Sequence, residues 1–249
     1  MTSINQIFHQ ELQKIEDLPN VNINFYLQHK ERIQDVFGYI FVINLFKNRV
    51  ETKKYYKNNY STVFSLLLEA SYAIVSGQCR GALLLLRSAQ EANFRYSLLL
   101  ERKFILEQDS NRKFKKLDFR FLSTKNCFIQ DIEPTLCKEK YSLYYQTIER
   151  NLTWYKKLCS VVHSQGSSQP VLDITYLSRL SSDTIINSDE YFKLFTNTLS
   201  DIFLLNFIVM RDSLIHWDTY ELRNILKIAY GKKKTESLLK FIKQNHISR

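Results

Sequence analysis

The chain has 249 residues, enough for one substantial hydrophobic core or at most two small ones. It contains only 5 Gly and 3 Pro, which argues against a sandwich or barrel of many short strands, since these need frequent turns. We therefore predict an all-α helical bundle in a single domain. The formal charge of +10 favours anionic partners, namely nucleic acid, anionic lipid or an acidic protein.

Cysteine usage and hydropathy predict a cytoplasmic protein. The four cysteines are scattered and form no CxxC pair, so no disulfide framework, metal or other cofactor is expected. The N-terminus lacks the basic and then apolar pattern of a signal peptide. The most apolar runs, 38–46 and 202–210, have nine residues each and are too short to span a bilayer. No membrane partner is expected.

The N-terminal region, 1–58, combines helical patterns with a basic patch. Apolar residues recur at helical spacing over 3–17, before Pro19, and again over 25–46. The basic segment KNRVETKKYYK (47–57) follows. Its tyrosines, with Tyr60, either stack on nucleic-acid bases or close a helix end.

The strongest pattern lies at 60–107 and predicts an antiparallel hairpin of two long helices. Ser61 is the expected N-cap of the first helix, and Ser76-Gly77 interrupts the apolar pattern between the two. A short link between long helices makes them antiparallel neighbours. Gly81 and Ala82, close to the turn, are expected to let the two backbones approach each other.

The second half of the chain alternates irregular and helical stretches. Residues 108–140 have no sustained period and are predicted to form a basic insert of loop or short helices. Helical patterns return over 139–162, 173–181 and 188–215, with a Ser- and Gly-rich loop at 163–170.

The C-terminal region is predicted to hold two further helices. Asp218 is the expected cap of a helix that ends at Gly231. The basic segment 231–249 is amphipathic, so its apolar stripe should dock on the body with the lysines outside. Lysines from three separate segments are the predicted nucleic-acid contacts: Lys53, Lys54, Lys115, Lys116, Lys232, Lys233 and Lys234.

The segment RDSLIH, Arg211 to His216, is the principal candidate for chemistry. Arginine offers a permanently charged planar fork that suits phosphate oxygens. Histidine, with an ordinary pKa of about 6.5, takes or gives a proton at neutral pH. The two groups suffice for metal-free RNA cleavage: the imidazole removes the ribose 2′-OH proton and the guanidinium stabilises charge on the phosphate. Alternatively, both residues mark an ordinary helix end.

The stretch SYAIVSGQCRGALLLLRSAQEANFRYSLLLE (71–101) resembles the central hairpin of HEPN domains. The matching residues are Gly77, Arg80, Ala82, Arg87, Ala89 and Glu91. HEPN ribonucleases also carry, in a later helix, an Arg, then a polar residue, then a His four to six positions on. Arg211, Asp212 and His216 fit that form and follow the hairpin in the expected chain order.

The HEPN resemblance implies a bundle of four or five helices, usually a homodimer in which two Arg/His sets meet. It also implies a role in anti-phage defence or toxin–antitoxin pairs, with an antitoxin or another defence subunit as a protein partner. The resemblance covers about forty residues and the RDSLIH segment, so it does not explain 1–60 or 108–140.

A competing histidine lies in YKKLCSVVHSQG (155–166). Related helical families show a similar "Y..L…vHs" ending, which makes His163 the alternative catalytic residue and Tyr155 a supporting one. Capping of a helix C-terminus is the structural alternative for His163.

Three charges on the predicted hairpin, Arg87, Glu91 and Arg95, are spaced at i, i+4 and i+8. They form either a surface ladder or an inward set that orients Arg211 or His163. From these patterns we predict an RNA-directed, HEPN-like protein, acting as a metal-independent endoribonuclease. The alternatives are a non-catalytic interaction or sensor subunit, and a surface that binds nucleic acid or anionic lipid without activity.

Overall fold

The computed structural model describes residues 3–56, 60–118, 120–132, 142–162 and 187–245. Within these ranges the chain forms α-helices and one 3-10 turn and no strand, which confirms the all-α prediction. The helices are α1 (Ile4–Gln13), α2 (Ile23–Gln28), α3 (Lys30–Asn48), α4 (Tyr60–Val75), α5 (Cys79–Gln108), α6 (Phe121–Ile132), α7 (Ser142–Val162), α8 (Ser188–Val209), α9 (Arg211–Leu214) and α10 (Thr219–Asn245). The 3-10 turn is Lys53–Tyr56. The predicted loop at 163–170 and helix at 173–181 lie outside the described residues.

The core is built around α8, which packs against α3, α5 and α7. Every residue from 198 to 210 is buried. By length and composition α8 is apolar enough to cross a membrane, but 78% of its most apolar window is buried inside the bundle, as in the core helix of a soluble protein. The apolar run at 202–210 covers only the last eight residues of this 22-residue helix and its C-cap, Met210.

The predicted hairpin is present as α4 and α5, which pack along each other. Gly77 lies in the link with φ of 77°, a conformation that favours glycine. Two details of the prediction are wrong. Ser61 lies inside α4, which begins at Tyr60, and is not its N-cap. A Cβ on Gly81 would meet only the Gln78 side chain, at 3.9 Å, so no neighbouring backbone approaches there.

The close backbone approach occurs instead at Gly38, between α3 and α10. A Cβ on Gly38 would lie 3.1 Å from the carbonyl oxygen of Ile228. The pattern at 25–46 is also divided, because His29 ends α2 and α3 starts at the next residue. α1 begins at a capping box formed by Ser3 and Gln6 and ends at Gln13, before the predicted boundary.

The insert predicted at 108–140 is only partly a surface segment. Residues 109–118 are irregular, as expected, but α6 then contributes buried aromatic side chains to the core. Phe121 stacks on Phe94 of α5, with ring centroids 4.7 Å apart. Phe128 is fully buried and packs on the same Phe94 ring.

The C-terminal prediction is confirmed at both ends. Asp218 accepts a hydrogen bond from the Glu221 backbone N–H at 2.8 Å, and Gly231, with φ of 64°, interrupts α10 where the sequence predicted a stop. The apolar stripe beyond it is buried: Leu238, Leu239, Phe241 and Ile242.

Candidate functional site

The RDSLIH segment begins immediately after the core helix. α8 ends at Val209, Met210 is its C-cap, and Arg211 opens the single turn of α9. The predicted helix at 188–215 therefore breaks before the candidate arginine. The backbone N–H of His216 donates to the carbonyl of Ser213, which closes a further turn beyond α9.

Arg211 forms an interior ion pair. Its Nη1 donates to Glu101 Oε1 at 3.1 Å and to the carbonyl oxygen of Ile208 at 3.0 Å. The two charged side chains are only 12% and 5% exposed. The buried phenol of Tyr144 lies in the same environment; burial, and then the Glu101 charge, raise its pKa well above the ordinary value. In this arrangement Arg211 links α9 to α5.

His216 and Asp212 lie at the surface side of the same segment. His216 is exposed and Asp212 is half-buried. The turn is fixed at two points, since Ser213 shares a 2.9 Å hydrogen bond with the hydroxyl of Tyr55, and Trp217 Nε1 donates to Glu221 at 3.0 Å. The segment therefore presents an accessible imidazole on an anchored turn, while the Arg211 guanidinium points to Glu101.

The predicted supporting residues Arg87, Glu91 and Tyr155 come together between α5 and α7. Arg87 Nη2 donates to the Tyr155 hydroxyl at 3.3 Å, and Arg87 Nε lies 3.3 Å from Glu91. The Tyr155 ring stacks on Phe121, with centroids 4.1 Å apart, and burial is the main cause that raises the pKa of Tyr155 to about 12.

Arg87 and Glu91 form the i, i+4 ion pair of the ladder, and their hydrogen bonds and ion pairs within the described residues do not involve Arg211. Arg95, the third charge of the ladder, donates to the carbonyl of Asp118 at 2.6 Å. His163, the alternative catalytic residue, lies outside the described residues.

One turn of α5 connects the RDSLIH segment to two of the predicted basic segments. Glu101 binds Arg211. Phe104 packs edge-on against Tyr55, in the 3-10 turn that also carries the exposed Lys53 and Lys54.

The second connection of this turn runs through Arg102. Its guanidinium lies 5.0 Å from the ring centre of Phe114, directly before the exposed Lys115 and Lys116. Arg102 is itself held by Asp131 of α6 at 2.8 Å. Residues 101–104 thus join three segments that are far apart in sequence.

Burial distinguishes between the two interpretations of the tyrosines near the basic patch. Tyr55, Tyr56 and Tyr60 are buried, so they close helix ends and offer no ring for stacking on bases. Of the three predicted lysine contacts on α10, Lys232 and Lys233 are exposed. Lys234 is also exposed as a residue, but its ammonium donates to Ser200 Oγ of α8 at 2.9 Å.

Sequence reasoning missed the buried polar partners. Glu101 and Asp201 are 4% and 3% exposed, and each binds an arginine. The available signal was a carboxylate within a strongly apolar helical stretch, which needs a cation nearby. Among the described residues, no group of three or more His, Cys, Asp or Glu side chains is arranged to hold a metal ion.

Comparisons with protein-family models, with curated proteins and with solved structures found no match to this chain.

Proposed function

We propose that the protein is a HEPN-like, RNA-directed helical protein that cleaves RNA without a metal ion, in anti-phage defence or as part of a toxin–antitoxin pair. The observation that carries the proposal is the turn of α5 at 101–104. This turn connects the segment bearing Arg211 and His216 to the exposed lysines at 53–54 and 115–116. In this proposal the lysines of these two segments hold the RNA backbone through its phosphates.

The roles follow from the chemistry of the two side chains. His216 is exposed and accepts the 2′-OH proton of the ribose as the 2′ oxygen attacks the adjacent phosphorus. The P–O5′ bond breaks, which leaves a 2′,3′-cyclic phosphate, and the departing 5′ oxygen takes up a proton from solvent. Arg211 supplies positive charge as negative charge builds on the phosphate. Since Glu101 and the Ile208 carbonyl bind one end of its guanidinium, Arg211 enters the reaction as a preoriented group. The homodimer that the HEPN resemblance implies would bring two such segments together.

The test is cleavage of total RNA by the purified full chain in EDTA. We expect cutting by the wild type, and loss of at least about a hundredfold in His216→Ala, since general acid–base catalysis contributes at least this much. His9→Ala is the matched control, because His9 is also exposed but lies on α1.

Arg211 needs two variants, because Arg211→Ala leaves Glu101 buried without this partner. Arg211→Lys keeps the charge and removes the planar fork, so it is expected to retain the fold and lose cleavage. Loss of cutting in His163→Ala alone would transfer the site to the other histidine and contradict the assignment to RDSLIH.

A second candidate is a non-catalytic interaction or sensor subunit of a defence complex. The burial of Arg211 against Glu101 favours it, since that ion pair gives the arginine a structural role. This candidate predicts that cellular toxicity, or phage protection, survives in both His216→Ala and Arg211→Lys and fails when the basic C-terminal segment is removed. Failure in the two point variants, with the segment intact, would contradict it.

A further inference from the structure

A cleft between α7, α8 and α10 contains no residue of the RDSLIH segment and is not used by the proposed function. Its centre is Asp201, a carboxylate in the middle of the core helix that is only 3% exposed. Arg150 donates to it from Nε and from Nη2, at 3.0 and 2.9 Å, and Trp154 Nε1 donates at 2.9 Å. Since Arg150 and Trp154 are one helical turn apart on α7, one carboxylate fixes the orientation of both side chains.

The cleft carries a net positive charge. Lys234 reaches it from α10, with its ammonium 2.9 Å from Ser200 Oγ and 4.4 Å from the ring centre of Tyr230. Arg150 and Lys234 give two positive charges against the single negative charge of Asp201, and the remaining lining residues carry none. Burial is the main cause that lowers the pKa of Lys234, and a bound anion would offset that cost.

Hydrogen-bond donors remain for a ligand. Arg150 uses Nε for Asp201 and Nη2 for Asp201 and Thr147, and no hydrogen bond from its Nη1 occurs within the described part of the chain. Lys234 has three N–H groups and donates one of them to Ser200. Asn197 also lines the cleft, as does Ser237, whose hydroxyl donates to the carbonyl of Lys233 at 3.3 Å.

The cleft also has an apolar lining that suits a flat organic group. Leu143, Leu204 and Leu238 line it together with Trp154. The volume is about 320 Å³, at the lower end of the range for small-molecule sites, roughly 300–1,000 Å³. Inorganic phosphate alone would leave the apolar wall uncovered.

We propose that this cleft binds a small organic anion, whose phosphate or carboxylate end is held by Arg150 and Lys234 and whose flat apolar body lies against Trp154 and the three leucines. Asp201 is a positioning residue, because it orients Arg150 and the Trp154 indole. Its own negative charge would repel a bound anion. The site is independent of RNA cleavage, and its test is a binding experiment that contains no RNA.

The experiment titrates the purified full chain with phenyl phosphate, benzoate and inorganic phosphate, and follows the tryptophan indole N–H signals by NMR. The chain has only 2 Trp, so Trp154→Phe assigns both signals. We expect saturable binding of at least one aryl anion, with the Trp154 indole signal shifting and that of the buried Trp217 unchanged. Comparison of the first two probes shows whether phosphate or carboxylate is the preferred end.

Lys234→Gln is expected to weaken binding at least about tenfold, and Lys233→Gln is the matched control because it removes the same charge one residue away on the same helix. Equal weakening by both variants would mean that general surface charge attracts the anion and would overturn the site. Absence of saturable binding of either aryl anion would overturn it as well. Inorganic phosphate binding as tightly as phenyl phosphate would overturn the apolar half of the proposal.

Discussion

Glu101 and Arg211 form a 3.1 Å ion pair that joins the last third of α5 to the start of α9, in the interior of the bundle. Both charges are largely removed from water, and each compensates the other. The pair therefore fixes the segment that carries His216 to the hairpin.

Glu101→Ala is expected to destabilise the protein strongly. It leaves the Arg211 charge buried without its carboxylate, which costs roughly 3–5 kcal/mol when one partner of a buried pair is removed. The free energy of unfolding, measured with urea, tests this. Glu107→Ala is the control, because Glu107 pairs with Lys103 on the exposed face of the same helix, and it should change stability by less than about 1 kcal/mol. If the two substitutions lowered the free energy of unfolding equally, the interior pair would contribute no more stability than the exposed one.

Tyr144→Phe should be neutral or stabilising at pH 8. The Tyr144 ring is fully buried, and its hydroxyl makes no hydrogen bond within the described residues, so its removal is expected to gain up to about 1 kcal/mol. Tyr220→Phe, at an exposed position, is the control for handling and should not change stability at this pH.

Tyr144→Phe should also be more stable to unfolding than the wild type at alkaline pH. Burial raises the pKa of Tyr144 well above that of an unfolded phenol, about 10. As pH rises past 10 the unfolded state releases this proton first, so the wild type loses stability that Tyr144→Phe retains. The gap should widen by roughly 1.4 kcal/mol per pH unit above 10. Urea unfolding at pH 8, 10 and 11 measures it, and a gap that stays constant would contradict burial of the phenol.

Gly38→Ala and Gly81→Ala are expected to change stability in opposite directions. A Cβ at Gly38 would lie 3.1 Å from the Ile228 carbonyl, so α3 and α10 must separate, at a cost of about 1–3 kcal/mol. At Gly81 the nearest atom is 3.9 Å away, and the better helix propensity of alanine should gain roughly 0.5–1 kcal/mol. Thermal unfolding of the two variants checks the order; a more stable Gly38→Ala would contradict the close approach.

These glycines also show which parts of the structure are determined by local sequence patterns. The hairpin, its Gly77 turn, the Asp218 cap and the Gly231 break follow from local chemistry, and all were predicted. The approach at Gly38 joins helices about 190 residues apart in sequence, a distance over which periodicity carries no information.

The candidate site shows the same division between local patterns, which the sequence predicts, and long-range packing, which it does not. Sequence identified RDSLIH and the Arg87–Glu91 pair, both of which are local patterns. It did not identify Glu101 as the partner of Arg211, or Asp201 as the partner of Arg150, because any of several buried cations could have served each carboxylate. Which carboxylate pairs with which arginine depends on how α5, α7 and α8 pack together. The residue spacing of a single sequence carries no information about that packing.

RNA binding should depend on the lysines next to the 101–104 turn of α5 and be sensitive to salt. The double variant Lys53→Gln with Lys54→Gln removes two charges from the 3-10 turn, whose Tyr55 contacts Ser213. If both contact phosphates of single-stranded RNA, the slope of log K against log salt should become shallower by about 1.4, at roughly 0.7 per phosphate. Fluorescence anisotropy with an unstructured RNA between 50 and 300 mM salt measures the slope.

The matched control for RNA binding is the pair Lys232→Gln with Lys233→Gln, which removes the same charge from the exposed side of α10. These lysines were also predicted to contact nucleic acid, so the comparison separates two surfaces. A larger effect of the Lys53 and Lys54 variant locates the RNA beside the RDSLIH segment, where His216 can reach it. A larger effect of the α10 variant would place the RNA on the C-terminal helix, and the proposed cleavage site would then lack its substrate.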